Sequence, residues 1–140
     1  MKPIKTGTIC LILALSSLPG LARAQLIQNN RNTDTCGMTD HAGFRLEERT
    51  RLTAIELWYH WGPRESAVNY NLYHDGRLIK RGRLMRADCD PYQEAWCAAR
   101  DNVGVSLIPG QVEVQTEHGK LCQNDGSGGE GFIHAYGLAH

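Results

Sequence analysis

The sequence lacks the strong charge and the long apolar segments that are typical of nucleic-acid-binding or integral membrane proteins. Its 140 residues include 15 basic and 15 acidic side chains, so the formal net charge at pH 7 is zero. The apolar run at residues 9–18 is shorter than the roughly 20 residues that a transmembrane helix needs. Because phosphate binding needs a strongly basic surface, we expect no nucleic-acid binding and no membrane insertion of the mature chain.

That apolar run belongs to an N-terminal pattern typical of a secretory signal peptide. Lys2 and Lys5 precede it, and the small-x-small triplet Ala22–Ala24 follows it, as before a cleavage site. We therefore predict a signal peptide over residues 1–24 and export to the periplasm or the extracellular space. Cleavage would leave 116 residues with a formal charge of −3 and four of the five cysteines.

Catalytic and phosphate-binding signatures are also missing. The six histidines form no H-E-x-x-H array, the serines lack a G-x-S-x-G elbow, and no Lys-Ser/Thr pair follows the glycine-rich segment as in a P-loop. Two acids facing across a cleft, which a glycosidase requires, are not indicated by the scattered carboxylates. We expect a binding protein rather than an enzyme, without a cofactor.

An even number of cysteines in an exported chain indicates disulfides, here two of them. Of the possible pairings we favour Cys89–Cys97, which closes a short loop, together with Cys36–Cys122, which ties the N-terminal segment to the C-terminal part. A zinc site is the alternative, but the cysteines and histidines do not stand at ligand spacing. The long-range bridge should stabilise the fold by roughly 4 kcal/mol.

Apolar and polar residues alternate through much of the chain with the two-residue period of β-strands. Residues 52–61 have one apolar face and a second face formed by Glu56, Trp58 and His60. Residues 44–57 also contain good helix formers, but the alternation that begins at Phe44 favours a strand. No helical period of any length is present in the sequence.

Turn signals separate these predicted strands at regular intervals. Asp75-Gly76 indicates a tight hairpin, and Pro109-Gly110 a second turn. The pattern predicts an all-β, antiparallel β-sandwich, jelly-roll-like and stapled by the disulfides. We place this domain at residues 44–140, after a polar N-terminal segment at 25–43 that Cys36 tethers.

The segment Cys122–Gly137 contains five glycines and admits two interpretations. We favour a turn that leads into the last strand, because glycine adopts positive φ angles without strain. The glycines expected to do so are Gly126, Gly128, Gly129 and Gly131. The alternative is a weak calcium site with oxygen ligands from Asn124, Asp125 and Glu130, fewer than an EF-hand provides.

Two surface features are candidates for ligand binding. Trp58, with Glu56 and His60 on the same face, would stack on a sugar ring or anchor a protein partner, unless both sheet faces are covered and it belongs to the core. Arg81 and Arg83 lie in a basic stripe on the return strand of the predicted hairpin, together with Arg77, Lys80 and Arg86. Such a stripe commonly protects a sheet edge, but it would also suit an acidic partner or the anionic envelope surface.

Several motifs together resemble a small bacterial extracellular β-sandwich domain. They are the Tyr-His-Trp that ends the strand at residues 59–61, the Leu-Ile-Pro-Gly turn at 107–110 and the closing Ser-Gly-Gly-Glu-Gly-Phe at 127–132. The resemblance covers about residues 52–137, and it implies the fold and an exported location but no activity. The chain departs from that domain at residues 115–124 and in its disulfide cysteines.

These features predict an exported, non-catalytic binding domain for a glycan or a protein. One alternative is an inhibitor-like periplasmic protein that plugs a cell-wall hydrolase with the loop closed by Cys89 and Cys97. The other is a small metal-dependent enzyme, which would require several histidines and acids gathered in one pocket.

Overall fold

A computed structural model describes residues 23–139, which contain ten β-strands and one 3₁₀ turn, Asp125–Ser127. The predicted signal peptide therefore lies almost entirely outside the described residues. The strands are β1 Gln25–Asn29, β2 Gly37–Thr39, β3 His41–Leu46, β4 Thr50–His60, β5 Ala67–His74, β6 Arg77–Cys89, β7 Trp96–Leu107, β8 Gly110–Thr116, β9 Leu121–Gln123 and β10 Ile133–Ala139.

The described strands form one antiparallel sheet in the order β1-β10-β4-β7-β6-β5-β8-β3, and the short β9 pairs with both β2 and β4. This sheet folds over on itself and nearly closes. Side chains from both of its halves, such as Leu57 on β4 and Val114 on β8, belong to one apolar cluster. The predicted all-β antiparallel sandwich is confirmed, with its two layers joined as parts of one sheet.

Alternation along each strand decides which side chains enter the core. In β8 every second residue is buried from Gly110 to Thr116, and the residues between them are exposed. In β4, Ile55, Leu57 and Tyr59 have at most 1% of their surface exposed. Their neighbours on the opposite face are therefore directed outwards, as the sequence predicted.

The hairpin between β5 and β6 also follows its sequence signal. Asp75 has φ 47° and Gly76 has φ 79°, so both residues adopt the left-handed backbone that a tight two-residue hairpin turn requires. The Asp75 carboxylate accepts a hydrogen bond from the Gln111 amide at 2.9 Å, which ties this turn to β8. The register of β5 and β6 is thereby fixed at one end.

The N-terminal segment contains strands that the sequence analysis did not predict. Residues 25–29 form β1 on the edge of β10, and β3 starts at His41, three residues before the predicted start of the domain. Edge strands and short strands pair through backbone groups, so they need no buried alternating side chains. This explains why a polar, amide-rich stretch showed no strand pattern.

Both predicted disulfides are present, Cys36–Cys122 and Cys89–Cys97. Cys97 and Cys122 are fully buried, whereas Cys89 is exposed. Residues 23–139 contain no helix with the length and hydrophobicity of a transmembrane segment.

Candidate binding site

A groove of about 320 Å³ lies between the N-terminal segment and the outer face of β4. We call it the Trp groove because Trp58 and Trp96 line it together with Phe132. The other lining residues are mostly polar and comprise residues 31–36, Asp90 and Gln93. The groove therefore combines aromatic surfaces with amides, carboxylates and hydroxyls.

Trp58 is neither a bare platform nor a core residue. It is half-buried, and the Arg31 guanidinium lies 4.2 Å from the centroid of its ring in a cation–π contact. The contact fixes the indole orientation and positions a cationic group beside it. The part of Trp58 that remains uncovered lines the Trp groove.

The two residues predicted beside Trp58 contact other groups. The His60 ring meets the Trp96 ring edge-on, with centroids 4.9 Å apart, so it packs beside the groove without lining it. The Glu56 carboxylate is hydrogen-bonded to Arg100 and lies 3.5 Å from Nδ1 of His134. The hydrogen bond that Arg100 donates to Glu56 raises the pKa of the Arg100 guanidinium above its ordinary value. Glu56 thus belongs to an ion cluster next to the groove.

Amide contacts hold the outer lip of the groove in place. Asn32 and Asn124 exchange two side-chain hydrogen bonds, of 2.9 and 2.7 Å. Asn30 adds two more, donating to the Gly131 carbonyl at 3.0 Å and accepting from the Ile133 amide at 2.8 Å. Together with Cys36–Cys122, these bonds fasten the N-terminal segment to the glycine-rich loop.

The glycine-rich loop is a capped turn, as predicted. The Asn124 side chain accepts from the Ser127 amide at 3.1 Å, while the Ser127 hydroxyl accepts from the Asn124 amide at 3.1 Å. Gly128 and Gly129 have φ angles of 67° and 76°. The same prediction is wrong for Gly126 and Gly131, which do not have positive φ.

Gly131 is needed for space instead. A Cβ atom at this position would lie 2.8 Å from the His41 carbonyl oxygen, to which the Gly131 amide donates a 2.8 Å hydrogen bond. Sequence reasoning could not separate a glycine needed for φ from one needed for close backbone approach. This contact joins the loop to the beginning of β3.

The three residues predicted as calcium ligands have separate surroundings. Asn124 Oδ1 already accepts hydrogen bonds from Asn32 and Ser127, and Asp125 is exposed. Glu130 Oε2 faces His41 Nε2 at 3.8 Å. In the part of the chain that the structure describes, no three His, Cys, Asp or Glu side chains are gathered as a metal site.

The loop closed by Cys89–Cys97 forms the opposite wall of the groove. Its Asp90 carboxylate accepts from the amides of Tyr92 and Gln93 at 2.8 and 3.2 Å, and the Trp96 amide donates to the Gln93 carbonyl at 2.9 Å. The loop is therefore internally bonded, yet Tyr92 at its tip is 94% exposed.

The predicted basic stripe divides into two kinds of residue. Arg81 and Arg83 are exposed on the outer face of β6, and neither forms a salt bridge within residues 23–139. In contrast, Lys80 donates to the Val103 carbonyl at 2.7 Å, and Arg86 donates to backbone carbonyls that include Gly62 at 3.3 Å. Strand β7 separates β6 from β4, so Arg81 and Arg83 are not part of the Trp groove.

Compared with known proteins, the chain matches no family model and no curated protein sequence. The geometry of its own residues therefore carries the functional argument.

Proposed function

We propose that the protein is an exported binding domain that holds a saccharide in the Trp groove. The observation that carries this proposal is the pairing of two indole side chains with polar groups along one concave surface. Sugar rings have apolar C–H faces that pack on indoles, and their hydroxyls exchange hydrogen bonds with planar amides and carboxylates. Asp34 and Gln93 provide such groups in the groove, and the Asn32 amide retains one N–H beyond the one bonded to Asn124.

The rigidity of the groove supports binding. Arg31 fixes the ring of Trp58, His60 packs against the ring of Trp96, and the asparagine pair holds the lip. Side chains that are already ordered lose less conformational entropy when a ligand binds. A shallow, polar groove can therefore bind a flexible glycan with useful affinity.

Export is part of the same proposal. The two disulfides accord with an oxidising compartment, and the predicted signal peptide accords with secretion. The resemblance to a bacterial extracellular β-sandwich domain points in the same direction.

The test is a binding screen of residues 25–140 against neutral glycans and peptidoglycan fragments, followed by calorimetry with any saccharide that binds. We expect Trp96→Ala to weaken binding at least about tenfold, because stacked aromatic residues are typical hot spots. Tyr136→Ala on β10 is the control, since Tyr136 is a half-buried aromatic residue that does not line the groove. Failure of every saccharide to bind, or full binding by Trp96→Ala, would overturn the proposal.

The exposure of Tyr92 favours a second candidate function, that of an inhibitor that plugs the cleft of a cell-wall hydrolase. A nearly fully exposed tyrosine on an internally bonded, disulfide-closed loop is suited to insertion into a partner's pocket. An assay of peptidoglycan hydrolysis would test it. Inhibition that Tyr92→Ala abolishes, while saccharide binding in the Trp groove is lacking, would make this the function.

A further inference from the structure

A second polar surface covers the outer face of three neighbouring strands, β6, β5 and β8. Strand pairing places Arg81 opposite Asn71 and Arg83 opposite Asn69, and Asn71 in turn lies opposite Gln115 on β8. We call this surface the polar platform. It consists of Asn69 and Asn71 on β5, Arg81 and Arg83 on β6, and Gln115 with the adjacent Glu117 at the end of β8.

Two shallow depressions flank the central asparagines of the platform. One, of about 410 Å³, lies between β5 and β6 and is lined by both arginines. The other, of about 420 Å³, lies between β5 and β8 and is lined by Gln115 and Glu117. A ligand lying across the asparagines of β5 would contact both depressions at once.

The backbone beneath the platform is held firmly from the inner side. The buried ring of Tyr70 packs on Gly82, where an added Cβ would lie 2.6 Å from ring atoms. The Tyr70 hydroxyl donates a 2.6 Å hydrogen bond to Asp101. On the outer side, Asn69 donates to Glu117 at 3.2 Å, so one of the surface amides is oriented before any ligand binds.

Charge is distributed across the platform in a definite order. The cations lie on β6, the amides on β5, and Glu113 and Glu117 lie in or beside β8. A guanidinium binds a carboxylate or phosphate through two parallel hydrogen bonds. Amides both donate and accept hydrogen bonds, and carboxylates accept them from hydroxyls.

We propose that the polar platform binds an acidic saccharide chain, with its carboxylate or phosphate groups on Arg81 and Arg83 and its hydroxyls on the amides and Glu117. This order of charges fits a narrow chain that carries both anions and hydroxyls. A flat anionic bilayer would also bring its charge against Glu113 and Glu117, so it fits the platform less well. The site is separate from the Trp groove and does not depend on it.

The direct test measures binding of residues 25–140 to four polymers. Polygalacturonate supplies carboxylates on a saccharide, phosphomannan supplies phosphates, neutral dextran lacks anions, and polyglutamate carries carboxylates without sugar hydroxyls. We expect one or both acidic saccharides to bind, and the stronger of the two identifies the anion. Dextran should not bind, and polyglutamate should bind at least about tenfold more weakly, because it has no sugar hydroxyls to donate to the Glu117 carboxylate.

Variants locate the binding site on the platform. Arg81→Ala and Arg83→Ala should each weaken acidic-saccharide binding about tenfold or more, as loss of a hydrogen-bonded charge pair does. Arg81→Lys should recover only part of the loss, since an ammonium group cannot form the bidentate pair. Arg49→Ala removes an equal charge from an exposed turn outside the platform and should have no such effect.

A different set of results would overturn the proposal. It fails if neither acidic saccharide binds, if polyglutamate binds as tightly as the saccharides, or if both arginine variants bind like the wild type. Trp96→Ala serves as the internal check on independence. Because Trp96 lies in the Trp groove, its loss should leave acidic-saccharide binding unchanged, and equal loss at both sites would contradict two separate surfaces.

Discussion

The Trp groove and the polar platform lie on the same folded sheet but are assembled in different ways. The lip of the groove depends on contacts between residues far apart in sequence, such as Asn32 with Asn124 and Cys36 with Cys122. The arginines and asparagines of the platform depend on the register of one hairpin, in which Arg81 and Asn71 face each other directly, and only Gln115 and Glu117 come from the more distant β8. A site can therefore be local or tertiary in origin, and the two kinds should respond differently to the same perturbation.

The strongest way to separate them is to remove the long-range disulfide. Replacing Cys36 and Cys122 by serine should lower the free energy of unfolding by about 4 kcal/mol, because the bond closes a loop with a sequence separation of 86. The freed N-terminal segment should also weaken saccharide binding in the Trp groove. Acidic-saccharide binding on the platform should persist wherever the variant remains folded.

Urea denaturation followed by calorimetry with each ligand provides the measurement. Replacing Cys89 and Cys97 by serine is the matched control, because a loop with a separation of only 8 should contribute less, about 2.5 kcal/mol. Parallel loss of both binding activities in the folded Cys36/Cys122 variant would contradict the distinction between the two sites.

Replacing a single asparagine should lower the free energy of unfolding by a smaller amount than removing the long-range disulfide. Asn124→Ala removes the cap of the 3₁₀ turn and the amide pair with Asn32, and should cost about 1–2 kcal/mol of unfolding free energy. Asn69→Ala on the platform removes one exposed hydrogen bond and should cost less than about 0.5 kcal/mol. Thermal melts of the two variants would measure this difference in stability. Equal destabilisation would count against the tertiary origin of the groove.

Another small effect concerns the pH dependence of stability at the boundary between the two regions. His41 lies opposite Gln115 in the register, and its Nδ1 contacts the Asp40 carboxylate at 3.0 Å. The hydrogen bond with Asp40 raises the pKa of His41, assisted by the charges of Glu130 and Glu113, and it lowers the pKa of Asp40.

The His41 contribution to stability is full below the unfolded pKa of about 6.5 and is lost as the pH rises through the raised folded pKa. The Asp40 contribution is present above its unfolded pKa of 3.8 and is lost as the pH falls through its lowered value. Because their side chains are 40% and 50% exposed, we expect the pair to contribute less than about 1 kcal/mol to the free energy of unfolding. Melts of wild type and His41→Gln between pH 5.5 and pH 8.5 should converge as the pH rises, and a constant difference would refute the assignment.

Much of the platform was readable from the sequence, because its residues follow the two-residue period. Alternation from Val68 to Leu72 buries every second side chain of β5 and exposes Asn69, leaving Asn71 half-buried. The Asp75-Gly76 turn then sets which residues of β6 lie opposite. The outward direction of Trp58 was predictable for the same reason.

The rest of the Trp groove was not readable. Arg31 and Asn32 lie in a stretch without apolar alternation, and their positions depend on Asn124, Cys122 and the ring of Trp58. Trp96 can be read from the sequence, but its position in the groove depends on the loop that the Cys89–Cys97 disulfide closes. Contacts of this kind join segments about 90 residues apart, and local periodicity contains no information about such pairs.

The nested order of the two disulfides has a consequence for how the protein matures. If the chain is exported amino terminus first, as we propose, Cys36 emerges before Cys89, and oxidation in order of arrival would join two cysteines that are not partners in the folded protein. The native pairing would then require either that oxidation waits until Cys122 has followed or that thiol–disulfide exchange corrects the first bond. On that route, the yield of folded protein would depend on the rate of thiol–disulfide exchange as well as on the stability of the sheet.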